Sequence, residues 1–62
     1  MNILSAREQS VVDLFRAGLS DALIAKRLRL SPNTVGAHLS NVRHKLGVKD
    51  RVALALKVGG LK

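Results

Sequence analysis

The chain has no cysteine, no tryptophan and no tyrosine, and only one phenylalanine and one proline among its 62 residues. Without cysteine there is neither a disulfide framework nor a thiolate metal site. Secreted mini-proteins of this size ordinarily need such staples, so a reducing, cytoplasmic interior is favoured. The longest apolar run, Val52-Ala53-Leu54-Ala55-Leu56, is far too short to span a bilayer. No charged leader followed by an apolar segment opens the chain, so no signal peptide is expected. Acidic residues are scarce as well: 4 Asp plus Glu stand against 11 Lys plus Arg, a formal net charge of +7. That imbalance asks for an anionic partner, and nucleic acid and an anionic membrane surface are the two main candidates. Asp13, Asp21 and Asp50 suggest no paired acidic pocket, and a phosphoacceptor role is not expected. A helical domain this small has little room for an enclosed ligand pocket, which argues against an enzyme and against a cofactor.

What is present reads as one all-α domain, residues 1–62 with a core at about 4–58, uninterrupted by any Ser/Gly/Pro-rich linker. Four helices with short connections are expected. Ser5-x-x-Glu8 is a capping box opening the first, in which the hydroxyl and the carboxylate each satisfy a free backbone amide. Val11, Val12, Leu14 and Phe15 supply its apolar stripe, and Gly18 its left-handed stop. The second starts at Ser20, buries Ile24, Ala25 and Leu28, and ends near Arg29, with Leu19 as a possible staple. Only Leu30 separates it from the next cap. The third has Ser31 as its cap and Pro32 at its first position, where a missing amide costs nothing. Val35, Leu39, Val42 and Leu46 recur at helical spacing as one buried stripe, and Gly47 ends it. The fourth is short, from Asp50 to Gly59-Gly60, and more apolar than one face requires.

Two helices joined by a tight turn, the second well capped and one-sided, describe a helix-turn-helix. Its second helix enters the major groove of DNA while its first crosses the backbone. With Val35, Leu39, Val42 and Leu46 turned inward, Asn33, Ala37, Ser40 and His44 point directly outward at 100° per residue. Thr34, His38, Asn41 and Lys45 lie on one flank, Gly36 and Arg43 on the other. Small residues let a helix sit deep in a groove, and the basic ones reach phosphates.

At this point the residues resemble a known family. Leu4-Ser5-x-Arg7-Glu8, Gly18-Leu19-Ser20, Ile24-Ala25, Leu28, Ser31-Pro32-x-Thr34-Val35, His38-Leu39-Ser40-Asn41-Val42, Lys45-Leu46-Gly47-Val48 and Arg51 look like the LuxR/GerE-type DNA-binding domain shared by NarL/FixJ response regulators. The resemblance implies a tetrahelical helix-turn-helix fold. It also implies a dimer on DNA, often at an inverted repeat, that regulates transcription. By position, the recognition helix is 32–46, and 36, 37 and 40 face base edges. Here those are Gly36, Ala37 and Ser40. The family very often has Lys at 36, so Gly36 removes a base or phosphate contact, and readout is expected to rest on Ser40, Asn41, Asn33 and Ala37. Ala22-Leu23 replaces a preferred Lys-Glu and makes Leu23 an extra apolar surface contact. The family usually carries this domain behind a receiver or ligand-binding domain, so a piece of a larger regulator is expected.

The expected DNA-binding set is Ser31, Asn33, Thr34, Gly36, Ala37, His38, Ser40, Asn41, Lys45 and Arg27. Four of them have a plainer alternative. Thr34 contacts phosphate or satisfies its own helix; His38 contacts phosphate or packs beside the core stripe. Lys45 contacts phosphate or is simply solvated. Arg27, with Lys26 and Arg29, complements a helix dipole whether or not DNA is present. Arg43 reads as a solvated face. Glu8 is structural, with Arg51 a candidate partner. His38 and His44 project about 120° apart, so no shared metal is expected. Val52 and Leu56 share one face of the last helix and are expected to form a homodimer interface. The rival functions are a protein-interaction module, for instance one docking on RNA polymerase through Leu23 and Leu56, and a membrane-active basic helix. Within the DNA class the rival is a sigma-factor-like domain.

Overall fold

Four caps divide the chain, and the structure, a computed structural model describing residues 3–59, places a helix behind each. These are α1 (Ala6–Arg16), α2 (Asp21–Leu28), α3 (Pro32–Leu46) and α4 (Arg51–Lys57). Ser5 Oγ accepts from the Glu8 amide at 3.1 Å, and Glu8 Oε1 accepts from the Ser5 amide at 2.9 Å, which completes the capping box. Ser20 and Ser31 repeat the first half of this device, accepting from the amides of Leu23 at 3.3 Å and Thr34 at 3.1 Å. Asp50 Oδ1 accepts from the Ala53 amide at 2.8 Å. Each cap satisfies an amide that the helix itself leaves unpaired.

The ends are less uniform. Gly47 closes α3 in the left-handed region at φ 70°, as glycine readily does. Arg29 closes α2 in the same region, at φ 59° and ψ 45°, although it carries a side chain. An L-residue there costs roughly 1–2 kcal/mol. The turn is held by the Leu30 amide, which donates to the Ala25 carbonyl at 2.8 Å, and by Leu30 itself, packed against the core. α4 runs to a Val58 cap followed by Gly59; Gly60, the other half of the expected stop, lies outside the described residues.

The core is Val11 and Val12 of α1, Ile24 and Ala25 of α2, Val35, Leu39 and Val42 of α3, and Leu54 of α4. α1 and α2 pack on each other and both on α3, and α4 rests against α3. α3 is therefore gripped along one side and bare along the other. Leu46, read as the last member of the buried stripe, is half-buried at the margin of the cluster, as are Leu14, Phe15, Leu28 and Val58. Among the described residues four large apolar side chains stay exposed: Ile3, Leu23, Val52 and Leu56.

Candidate nucleic-acid interface

The bare side of α3 collects most of the expected contact residues. Ser31, Asn33, Gly36, Ala37 and Asn41 are exposed, while Thr34, His38 and Ser40 are half-buried. Arg27, on the last turn of α2, is exposed. The Thr34 hydroxyl lies 2.9 Å from the Ser31 hydroxyl, so the cap and its neighbour form a small polar cluster at the helix start. Gly36 faces open space: a Cβ built there meets nothing within 4 Å. It lies on the rim of a shallow groove shared with Ser40, Arg43, Asp50, Arg51 and Leu54.

Lys45 is placed differently from the rest of the set. Its Nζ donates to Glu8 Oε1 at 2.7 Å, across 37 residues of sequence. Glu8 is 5% exposed and is the only buried charged residue among those described. The Glu8–Arg51 pairing considered from sequence is therefore replaced. Glu8 sits over the C-terminal half of α3, within reach of Lys45. Arg51, at the start of α4, instead forks onto Asp21 at the start of α2, with Nη1 3.2 Å from Oδ2. The Arg51 guanidinium also lies 5.2 Å from the Phe15 ring centroid, a cation–π contact. Asp21 raises the already high pKa of Arg51, against the opposing effect of burial. Half-exposed, this latch stabilises the fold by at most about 1 kcal/mol.

The Lys45 hydrogen bond, and after it the Ser5 amide, hold the Glu8 carboxyl below its ordinary value of 4.5 against the opposing effect of burial. A depressed carboxylate contributes stability that is present above its unfolded value and is lost as pH falls through the folded one. The thermal midpoint should thus drop below about pH 4.5, and Glu8→Gln should flatten that drop. Melts of both proteins from pH 6 to pH 3 check this; parallel curves would remove Glu8 as the cause.

Sequence reasoning treated Arg43 as solvated, and the structure anchors it. Its Nη1 donates to the Lys49 carbonyl at 3.0 Å. Arg43 lines the Gly36 groove and also a second hollow of about 240 Å³ with Ser40, His44, Val48 and Lys49. No signal short of knowing how the α3–α4 loop folds back would have shown this. Among the described residues no three His, Cys, Asp or Glu gather as a metal site, and no helix is long and apolar enough to cross a membrane.

Comparison with known proteins accounts for this architecture. Residues 2–58 match the family model described as bacterial regulatory proteins, luxR family. The chain belongs to the luxR family. As a luxR-family domain it is similar to a Mycobacterium bovis protein whose name provisionally makes it an HTH-type transcriptional regulator, with 51% identity over 82% of the chain and 6% of that protein. It is 42% identical to the monoamine regulon transcriptional regulator of Klebsiella aerogenes, over 84% of the chain and 23% of that protein. It is 34% identical to the nitrate/nitrite response regulator protein NarL of Escherichia coli, over 94% of the chain and 27% of that protein. The chain thus spans about a quarter or less of these luxR-family relatives. No solved structure matches it. The family and these relatives are transcriptional regulators rather than enzymes, and the domain is the helix-turn-helix of that type.

Proposed function

We propose that this single domain inserts α3 into the major groove of duplex DNA as part of a bacterial transcriptional regulator. One observation carries the reading. α3 is locked into the core along Val35, Leu39 and Val42, and the side it leaves bare holds only small and polar residues, with cations toward its C-terminal end. Asn33, Gly36, Ala37, Ser40 and Asn41 face base edges. Ser31, Thr34, His38 and Arg27 face the phosphates that set register. Lys45, expected from sequence to touch phosphate, sits on Glu8.

Dimerisation through α4 on an inverted repeat belongs to the same proposal. Val52 and Leu56, one helical turn apart, are 65% and 63% exposed. Apolar side chains left bare on a seven-residue helix favour a second copy of the domain. Exposed Leu23, at 52%, supports a second contact, with RNA polymerase as the expected partner. Placement as the output domain of a response regulator in the cytoplasm, on the nucleoid, completes the reading and rests on the relatives' names.

Selection of bound sequences from random duplex DNA tests it. An enriched half-site, repeated in inverted order at a fixed spacing, is the expected outcome. Ser40→Ala should relax preference at one position of that half-site while leaving binding to unrelated duplex nearly unchanged. A folded domain that retains no duplex at low salt would sink the proposal.

A further inference from the structure

The cations of α3 divide into two groups by what else holds them, and the division assigns the phosphate contacts. Lys45 gives one of its three donors to Glu8 at 2.7 Å; its side chain is 40% exposed, but Glu8 is buried and takes its charge. A phosphate that drew Lys45 away would leave a buried carboxylate without its charged partner. Stranding a buried charge costs more than one solvent-exposed phosphate contact returns. On the opposite flank, Arg43 has no carboxylate partner among the described residues. Its one hydrogen bond there, from Nη1 to the Lys49 carbonyl, uses one of five donors and fixes the guanidinium on the outer surface. The same bond draws the loop after Gly47 against α3, bringing Lys49 to the hollow lined by Ser40, Arg43 and His44. Asp50, the acid nearest along the chain, spends an oxygen on capping α4.

We propose that a backbone phosphate of the DNA seats in this hollow on Arg43 and Lys49, and that Lys45 makes no phosphate contact. The proposal rests on the reading of α3 as the major-groove helix. Arg43 lies on the Gly36 flank, so the phosphate it takes belongs to the strand bordering the α4 side of the groove. A guanidinium already held by a carbonyl loses little side-chain freedom on binding and keeps a fork of donors for phosphate oxygens.

Counterion release separates this from the alternative, because each phosphate neutralised adds about 0.9 to the slope of log K against log salt. The probe is a random-sequence duplex, titrated with sodium chloride against the wild-type domain, Arg43→Gln, Lys49→Gln and the double variant Glu8→Gln/Lys45→Gln. The double variant removes both members of the buried pair, so it keeps local charge balanced and strands no carboxylate. Arg43→Gln and Lys49→Gln should each lower the slope by about 0.9, and the double variant should keep the wild-type slope. Arg43→Lys should restore the slope with weaker binding, since the charge returns without the fork. An unchanged slope in Arg43→Gln, or a fall of about 0.9 in the double variant, overturns the assignment. If the wild-type domain itself shows no salt-dependent duplex binding, the major-groove reading fails and takes this assignment with it.

Discussion

Leu54→Ala should lower the unfolding free energy by about 2–5 kcal/mol, enough to leave much of the population unfolded at 37 °C. At roughly 0.05–0.15 kcal/mol per residue, a domain of this length holds only about 3–9 kcal/mol in total. Leu54 is fully buried and is the one buried residue of α4. Seven residues are far too few for a helix to persist alone in water. α4 therefore exists only while it is docked, and Leu54 is what docks it. The Arg51–Asp21 latch and the Asp50 cap are surface interactions, together worth less than the lost side chain. Circular dichroism melts check the prediction. At about 4–8 °C per kcal/mol for a small domain, the midpoint should fall by well over 8 °C. A shift under about 5 °C would mean that α4 is held by something other than its leucine.

Gly36→Lys should improve two properties at once. Glycine inside a helix costs roughly 0.5–1 kcal/mol relative to a good helix former, and nothing near Gly36 obstructs a side chain. The new ammonium would project from the exposed side of α3, beside the groove that holds Asp50 as well as Arg43 and Arg51. Asp50 offsets part of the repulsion from the two arginines. One added phosphate contact steepens the salt slope by about 0.9, which amounts to about an eightfold tighter complex near 0.1 M salt. Gly36→Ala separates the causes: it should raise the melting midpoint similarly and leave the slope alone. If alanine destabilises the fold, the helix is using the glycine for something the exposed backbone does not reveal. If lysine stabilises without steepening the slope, position 36 lies off the DNA.

How much of this was legible beforehand depended on the range of each interaction. Ser5, Ser20, Ser31 and Asp50 announce helix starts because a cap is a bond between residues three apart, and that chemistry is complete within the local sequence. The bare face of α3 was legible for a related reason: a periodicity that buries Val35, Leu39 and Val42 necessarily turns Ala37 and His44 outward. Periodicity is silent, however, about which neighbouring helix borders each flank. That is why the sequence did not show Lys45 paired with Glu8 and offered Arg51 as the partner of Glu8, when the crossing of α1 over α3 brings Lys45 to Glu8 and the approach of α4 to α2 brings Arg51 to Asp21. The left-handed turn at Arg29 carried no glycine to betray it. Its conformation is imposed by Leu30 reaching the core rather than by the residue that adopts it.

The Glu8 carboxylate has one further consequence. The same oxygen receives the amide that opens α1 and the ammonium near the far end of α3. The first turn of α1 and the last turn of α3 thus meet at a single atom. A covering domain or binding partner that disturbs the Ser5 cap therefore acts on the same carboxylate oxygen that Lys45 holds.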